Sequence, residues 1–365
     1  MKIEVIDLKK RFQEEKIEIL ECIKRVLKKG NLILTPEVAN FEKSICKFTG
    51  SKYCLGVNSG TDALIMSLWS TGISRGDEVI TTPISFIASV SSIIHVGAKP
   101  VLVDVDDDLN IKPELIESAI TTKTKAILPV HWGGRVCQMD KILQIAKKHN
   151  LIVIEDAAQS MGAYFNNKHA GTYGKISAFS THPLKNLNAL GDGGFVITNE
   201  KKLYNKIKLY RNHGLKGRDN VEIIGINSRL DSLNAEVLNF RLKRLKNIIK
   251  KGWKNINLYK KLINSHKVHI IEDKKKEKNA YATFIVLCEQ RDKLKKYLQK
   301  FGIETLIYYK TPLHLHKATK FLGYKKGDFP NAEKLAKKVI SLPHHRHLKI
   351  KEIKFICKKI NDFYS

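Results

Sequence analysis

Short apolar runs alternate with stretches of helical periodicity between residues 50 and 200 of the chain. Each run has a length suited to one buried strand. The runs predict strands at 53–57, 78–81, 99–104, 126–130, 152–155, 176–180 and 194–198. Helices fit between them at 62–71, 86–95, 113–119 and 139–148. Because strands that alternate with helices favour parallel pairing, the pattern predicts an α/β fold with a mostly parallel, doubly wound sheet.

Helical spacing of apolar residues continues on both sides of this region. Residues 12–28 and 37–48 predict two helices before it, and a long helix begins near Ser232. Farther on, the pattern predicts strands at 280–287 and 303–309 and helices at 331–340 and 350–363. We therefore expect a large α/β domain over residues 1–238 and a smaller C-terminal α+β domain over residues 239–365.

The composition is that of an ordinary soluble globular protein. Its 365 residues are 43% hydrophobic and 28% charged, which is enough to build a full core. The sequence contains no uncharged apolar run of about 18 residues, the length that a membrane span needs. The N-terminal stretch lacks the apolar core and cleavage site of a signal peptide. We expect a cytoplasmic protein with no membrane partner.

The net charge of +29 raises the question of nucleic-acid binding. The lysines are spread along amphipathic helical stretches such as 242–262 and 331–339, where they form solvated faces. The sequence has no aromatic RNA-binding motif, zinc finger or basic low-complexity tail. We therefore expect no nucleic acid as a partner. The charge would instead attract phosphorylated or nucleotide-linked substrates.

The six cysteines are scattered along the chain and form no Cys-x-x-Cys pair. This spacing argues against a structural zinc site and against a ferredoxin-type iron–sulfur cluster. We expect reduced, partly buried thiols without a visible function.

A lysine and an aspartate stand at positions that are poorly placed for surface residues. Lys185 lies between an apolar strand-like run and a glycine turn, and Asp156 ends another apolar run. A lysine amine can form a Schiff base with an aldehyde cofactor, and an acidic residue that faces a pyridinium nitrogen keeps the ring an electron sink. The pair therefore suggests pyridoxal 5′-phosphate (PLP) chemistry.

The segment 58–64, Asn-Ser-Gly-Thr-Asp-Ala-Leu, joins a predicted strand to a predicted helix. Small residues at a helix N-terminus leave N–H groups free for an anion, which here would be the cofactor phosphate. Each of these features alone has an ordinary explanation. The segment 58–64 and Asp156 could be helix caps, Lys185 a surface lysine, and the glycine turn 191–194 a simple tight turn. Their order along the chain suits one cofactor, and all the ordinary explanations would have to be true at once for the cofactor site to be absent.

Further motifs extend over nearly the whole chain. They are Thr35-Pro36-Glu37-Val38, Phe41-Glu42, Ser59 to Leu64, Pro129-Val130-His131 with Gly134, Glu155 to Ser160, His182 to Asn186, Gly225-x-Asn227-x-Arg229 and Pro312-Leu313-His314. With these motifs the chain resembles the sugar aminotransferases of the DegT/DnrJ/EryC1/StrS family, which are fold-type I PLP enzymes. The segments around Asp156 and Lys185 are specific in combination.

The resemblance implies a role for each residue around the cofactor ring. Lys185 would hold PLP as a Schiff base and then shuttle a proton between the substrate and cofactor carbons. Asp156 would pair with the pyridinium nitrogen, and Gln159 would hydrogen-bond the ring hydroxyl. Phe86 would stack on the ring face, although without the family context it would suit a core position nearly as well.

The same resemblance implies a binding site for the cofactor phosphate. Gly60, Thr61 and Ser180 would hold the phosphate within one subunit. Asn227 would add a contact from the neighbouring subunit. The protein would then be a homodimer with shared active sites.

The chain departs from the family pattern just before Pro312. Many relatives have a histidine before the tyrosine in this stretch, whereas this chain has Ile307-Tyr308-Tyr309. The contacts to the sugar or the nucleotide are therefore open. Several closely spaced histidines superficially resemble metal ligands: His314, His316, His344, His345 and His347. Their neighbours in the family are structural or close to the substrate, so we expect no metal.

The implied reaction is a transamination in two halves. L-Glutamate would give its amino group to the cofactor and leave as 2-oxoglutarate. A nucleotide-linked keto-deoxysugar would then accept it, in cell-surface glycan biosynthesis such as that of lipopolysaccharide. The resemblance suggests that lysine segments ending in Gly-Asp-Gly-Gly belong to enzymes that aminate C-3. Enzymes that aminate C-4 more often carry Gly-Glu-Gly-Gly. Residues 191–194 are Gly-Asp-Gly-Gly, which favours a dTDP-linked 3-keto-6-deoxyhexose.

Three alternatives stay open at this point. A C-4 aminotransferase would differ in the position of the new amino group. A PLP-dependent sugar dehydratase would replace the lysine by histidine or carry an iron–sulfur cluster, and Lys185 and the scattered cysteines count against both. A basic DNA-binding or regulatory protein that keeps the fold would show no cofactor absorbance and would bind DNA with a salt-sensitive affinity.

Overall fold

A computed structural model describes residues 2–365 of the chain. Numbered in chain order, the helices are α1 (Leu8–Leu27), α2 (Pro36–Thr49), α3 (Gly60–Ser70), α4 (Ala88–His95), α5 (Met139–Lys148), α6 (Lys201–Tyr210), α7 (Ser232–Leu262), α8 (Arg291–Lys300), α9 (Pro330–Lys338) and α10 (Ile350–Tyr364). The strands are β1 (Tyr53–Val57), β2 (Glu78–Thr81), β3 (Lys99–Leu102), β4 (Thr124–Ile127), β5 (Ile152–Asp156), β6 (Tyr164–Phe165), β7 (Lys168–His169), β8 (Ile176–Ser180), β9 (Gly194–Thr198), β10 (Leu215–Lys216), β11 (Asn220–Val221), β12 (Val268–Ile270), β13 (Glu277–Lys278), β14 (Phe284–Cys288) and β15 (Val339–Leu342). None of the described helices is both long enough and apolar enough to cross a bilayer.

The largest sheet has the strand order β1-β9-β8-β5-β4-β2-β3. Strands β3, β2, β4, β5 and β8 pair in parallel. Strand β9 runs antiparallel to both of its neighbours, β8 and β1. The sheet is therefore mostly parallel, as the alternation of strands and helices predicted.

Alternate residues of the central strands enter cores on opposite faces of this sheet. Val153 and Phe179 pack in the core that α2, α5 and α7 cover. Ile154 and Ala178 pack in the core that α3, α4 and α6 cover. Because successive side chains of a strand point to opposite faces, both faces of the sheet need apolar residues and a helical cover. This is the doubly wound arrangement.

The C-terminal part of the chain builds an antiparallel sheet in the order β12-β14-β15, with α8 and α10 packed against it. The first described residues join this part of the molecule. Ile3 forms a β-bridge with Ile303, and the N–H of Val5 donates to the Glu304 carboxylate at 2.9 Å. Helix α7 passes residue 238 without a break. The domain boundary at that residue stays a prediction.

The predicted strand at 303–309 is wrong. Ile303 pairs with Ile3 and Leu306 pairs with Ser341, each as an isolated bridge. Because the two residues have partners on different segments, no continuous ladder forms.

Other stretches also differ from the predicted pattern. The predicted helix at 113–119 is a pair of short 3₁₀ turns, Pro113–Leu115 and Glu117–Ala119. The predicted helix at 331–340 ends at Lys338, and β15 follows at once. Helices α6 and α8 form where no element was predicted, because their many lysines obscure the apolar side that each buries.

Candidate active site

Segments at the carboxyl ends of the parallel strands line a cavity of about 400 Å³. Residues that follow parallel strands gather at one edge of a sheet, where α/β proteins bind ligands. The volume falls in the range of about 300–1,000 Å³ that ligand pockets occupy. Of the residues that the sequence predicted for the site, this cavity brings together Gly60, Thr61, Phe86, Asp156, Gln159, Ser180 and Lys185.

Lys185 lies in the loop that follows β8. Its N–H donates to the His182 carbonyl at 2.8 Å, and the Asn188 side chain donates to the Lys185 carbonyl at 2.9 Å. Burial lowers the pKa of the Lys185 amine, and the Asp156 carboxylate opposes this shift. A lower pKa leaves more of the amine uncharged, and only the uncharged amine attacks a carbonyl carbon. The position therefore suits a lysine that binds an aldehyde.

Asp156 ends β5 and is 4% exposed. Its Oδ2 accepts a hydrogen bond from the Ser89 hydroxyl at 2.7 Å, and its Oδ1 accepts one from the Ala158 N–H at 3.2 Å. Burial raises the pKa of the Asp156 carboxyl, while these hydrogen bonds and the positive charge of Lys185 oppose the rise. Each carboxylate oxygen has two lone pairs, so acceptor capacity remains for a protonated ring nitrogen.

Gln159 and Phe86 lie on the cavity wall near Tyr309. The Gln159 Oε1 accepts a hydrogen bond from the Gly133 N–H at 2.9 Å, which orients the side-chain amide. Phe86 is 55% exposed, and its ring centroid lies 6.4 Å from that of Tyr309. Burial, followed by the charge of Asp156, raises the pKa of Tyr309, so its hydroxyl stays protonated. The structure therefore places Phe86 at the site and not in the core.

The start of α3 meets the end of β8 and forms a small cup. Ser59 caps the helix, its Oγ accepting from the Asp62 N–H at 3.0 Å. The first N–H groups of a helix, here those of Gly60 and Thr61, have no acceptor within the helix. A Cβ atom on Gly60 would lie 2.6 Å from the Cβ of Ser180. Glycine thus permits a close approach that leaves N–H groups open to a phosphate.

The described residues fit PLP on these observations. The buried Asp156 carboxylate matches a ring nitrogen, and the cup that Gly60 permits matches a phosphate. Lys185 lines the same cavity, as an aldehyde-binding amine must.

Asn227 is the predicted site residue that lies apart. It is exposed, bridges to Asn212 and is not among the described residues that line the cavity of its own chain. The next residue ties this segment to the cup, since the Ser228 hydroxyl donates to the Asp62 carboxylate at 2.7 Å. The placement is compatible with a contact to a neighbouring subunit, which stays a prediction.

Several cavity residues were not singled out from the sequence, among them Val5, Ile6, Ser85, Ala282 and Thr283. The N-terminal and C-terminal segments reach the cavity only because the chain folds back on itself. Ser85 has a local signal, since Ser85 and Ser89 are spaced by about one helical turn directly after β2. Serine is too common at such spacing for the pair to be recognised without the contact that it makes.

The histidines that resemble metal ligands have protein partners. His344 Nε2 lies 2.8 Å from the Tyr281 carbonyl, and His345 Nε2 lies 3.1 Å from the Glu4 carbonyl. Within residues 2–365, no group of three or more His, Cys, Asp or Glu side chains is placed to hold a metal ion. All six cysteines are free thiols, and five of them are buried.

Known proteins resemble the chain over its whole length. It is 38% identical to a pleiotropic regulatory protein of Geobacillus stearothermophilus, over 100% of this chain and 99% of that protein. It is 35% identical to the dTDP-3-amino-3,4,6-trideoxy-alpha-D-glucose transaminase of Streptomyces venezuelae, over 95% and 92% of the two chains. It is also 36% identical to the UDP-2-acetamido-2-deoxy-3-oxo-D-glucuronate aminotransferase of Pseudomonas aeruginosa, over 99% and 100%.

The fold is also that of a solved structure. The crystal structure of S. venezuelae DesV in complex with a ketimine intermediate superposes with a TM-score of 0.97 at 34% identity, covering 100% of this chain and 99% of that one. A family model described as the DegT/DnrJ/EryC1/StrS aminotransferase family matches residues 13–361. The chain therefore belongs to the DegT/DnrJ/EryC1/StrS family of PLP-dependent aminotransferases, as its motifs predicted.

Proposed function

We propose that the protein moves an amino group from L-glutamate to C-3 of a nucleotide-linked keto-deoxysugar, in cell-surface glycan biosynthesis. The dTDP-3-keto-6-deoxyhexoses are the substrates that we favour. The observation that carries the proposal is a single cavity that joins a lysine of lowered pKa to a buried carboxylate. The family supplies the reaction type, since its members are aminotransferases.

The names of two relatives support the substrate class. One is a dTDP-sugar transaminase and the other a UDP-sugar aminotransferase, and both names put the nitrogen or the oxo group at position 3. The Gly-Asp-Gly-Gly turn at 191–194 favours the same position. The net charge of +29 would draw a substrate that carries a diphosphate.

Residues around the ring would act by binding and by proton transfer. When bound, PLP supplies the electron sink for the bond that breaks at the substrate carbon. Asp156 would keep the ring nitrogen protonated, and Gln159 would hydrogen-bond the ring hydroxyl. Lys185 would hold the cofactor and then carry the proton, and its lowered pKa favours the neutral, basic form that this needs.

Other residues would fix the cofactor in place. Gly60, Thr61 and Ser180 would bind the phosphate, and Phe86 would stack on the ring from the exposed side of the cavity. Asn227 of the partner subunit would complete the phosphate site, so a homodimer is part of the proposal.

The half-reaction with the amino donor tests the proposal. Purified protein with PLP should show a visible absorbance band, and L-glutamate should convert it to the near-ultraviolet band of the amine form. Lys185→Ala should lack the first band. A band that L-glutamate leaves unchanged would overturn the choice of donor, and an unchanged band in Lys185→Ala would remove Lys185 from its role.

The second half of the same experiment uses the product. Protein whose cofactor has received the amino group of L-glutamate is mixed with dTDP-linked 3-keto and 4-keto sugars. The corresponding UDP-linked sugars are tested in parallel. Nuclear magnetic resonance of the product should place the new amino group at C-3. An amino group at C-4 would establish the alternative position and contradict this proposal.

The name of one relative and the charge favour a regulatory protein as the second candidate. Such a protein would bind DNA with an affinity that falls steeply with salt and would show no cofactor band. A PLP band that L-glutamate converts would exclude a purely regulatory role.

A further inference from the structure

Two buried serines stand behind Asp156. The Ser89 hydroxyl lies 2.7 Å from Asp156 Oδ2, and the Ser85 hydroxyl lies 2.6 Å from that of Ser89. Ser89 is 1% exposed and Ser85 is 3% exposed. The three groups therefore form a continuous hydrogen-bonded chain that ends on the carboxylate.

The direction of this chain follows from counting protons. An ionised carboxylate only accepts hydrogen bonds, so Ser89 must donate its one hydroxyl proton to Asp156. Ser89 then has only lone pairs left for Ser85, and Ser85 must be the donor in that contact. Both donors thus point toward the carboxylate, and each polarises the next. Hydrogen bonds to an ionised acceptor are about twice as strong as neutral ones.

The titratable side chains around Asp156 do not replace the hydrogen bond that Ser89 donates to it. Among charged or titratable side chains, Lys185 and His131 act on the pKa of the Asp156 carboxyl, and the charge of Asp156 acts in turn on Tyr309 and Cys137. His131 Nε2 lies 2.8 Å from the Glu155 carboxylate, and its Nδ1 accepts from the Cys137 N–H at 3.2 Å. Its two ring nitrogens are therefore engaged elsewhere, and neither of them is hydrogen-bonded to Asp156.

We propose that Ser89, supported by Ser85, is a positioning residue that keeps Asp156 ionised and directs its remaining lone pairs toward the ring nitrogen of PLP. The proposal rests on the role of Asp156 in the proposed function. Ser89 is not among the described residues that line the cavity, so it acts through Asp156.

The test is a pH titration of the visible absorbance of the holoenzyme. Without the Ser89 hydroxyl, Asp156 should take the proton from the ring nitrogen more readily. A neutral ring holds the proton on the Schiff-base nitrogen more tightly. The pH at which half of this proton is lost, the titration midpoint, should therefore rise by about one unit in Ser89→Ala. The dissociation constant of PLP should rise about tenfold, the value of one charge-assisted hydrogen bond. Ser85→Ala should shift the midpoint in the same direction by less.

Two variants serve as controls. Ser89→Thr keeps the hydroxyl and should restore the wild-type midpoint. Ser92→Ala removes another buried hydroxyl of α4, which lies 3.4 Å from the Ser89 carbonyl and has no contact with Asp156. It should leave the midpoint unchanged.

The outcomes separate this proposal from the proposed function. A wild-type protein that forms no PLP band would overturn both. Two results with a wild-type protein that binds PLP and titrates would overturn only the role of the serines. One is a Ser89→Ala midpoint equal to that of the wild type, and the other is an equal shift of the midpoint in Ser92→Ala.

Discussion

At the scale of single residues, Gly60 sets how closely α3 approaches β8. A Cβ atom at this position would lie 2.6 Å from the Cβ of Ser180, which cannot move away as the end of a flexible side chain could. Gly60→Ala must therefore widen the cup. Overpacking of this kind costs about 1–3 kcal/mol, so we expect the PLP dissociation constant to rise about tenfold in an absorbance titration.

Gly252→Ala is a matched control for this substitution. Its new Cβ would meet only the His344 ring, at 3.9 Å, in the middle of α7. We expect unchanged PLP affinity and a small gain in stability, because alanine favours a helix over glycine. Equal affinity in Gly60→Ala and wild type would contradict the phosphate cup.

Sequence alone identified the residues whose chemistry is unusual for their position. Lys185 and Asp156 stood out because charged residues rarely adjoin apolar runs. Ser89 did not, because serine is unremarkable in a helix and its partner Asp156 is 67 residues away. The contact that gives Ser89 a role exists only in the folded chain.

At the scale of elements, Arg211 joins three segments. It follows α6, and its Nη1 donates to Glu42 of α2 at 2.6 Å and to the Gly56 carbonyl of β1 at 2.5 Å. Arg211→Ala would leave the Glu42 carboxylate without its charged partner and with the Gly56 N–H, at 2.9 Å, as a remaining donor. Removing one partner of a buried pair costs about 3–5 kcal/mol, which chemical denaturation should detect.

Lys141→Ala is the comparison for that prediction. It removes an ion pair with Glu114 whose length is also 2.6 Å, but both side chains are half exposed. Exposed pairs contribute at most about 1 kcal/mol. If the two variants lost equal stability, burial would not be what gives the Arg211 pair its strength.

The sequence predicted best the strands whose ends are marked by the residues next to them. Strands 53–57, 78–81, 176–180 and 194–198 have the predicted bounds, since polar or glycine residues limit each apolar run. The stretch 303–309 has strand-like residues but lacks a single partner strand. Pairing with distant segments decides such cases, and the local pattern carries no information about it.

At the scale of the whole molecule, the motifs predicted the family, the α/β fold and the cofactor, and the comparisons confirm all three. The identity of the sugar does not follow from the sequence in the same way. Tyr308 and Tyr309 line the cavity where the chain departs from the family motif. Contacts to a sugar there would depend on the positions of these side chains in the folded chain, which the local sequence does not give.

Sharing of active sites between subunits can be tested with mixed dimers of Lys185→Ala and Asn227→Ala. The Asn227→Ala subunit keeps Lys185 and would receive Asn227 of the partner subunit, so one site per mixed dimer is intact. Dimers isolated with two different affinity tags should be more active than either variant alone. Activity no higher than that of the Asn227→Ala homodimer would contradict the shared site.

The N-terminal segment has a practical consequence for all of these assays. Ile3 pairs with Ile303, and Val5 and Ile6 line the cavity, so these residues form part of its wall. Any fusion partner attached before Ile3 would be only a few residues from that wall. Ser365, which follows α10, is exposed. It is not among the described residues that line the cavity, so a carboxyl-terminal purification handle adds nothing to this wall.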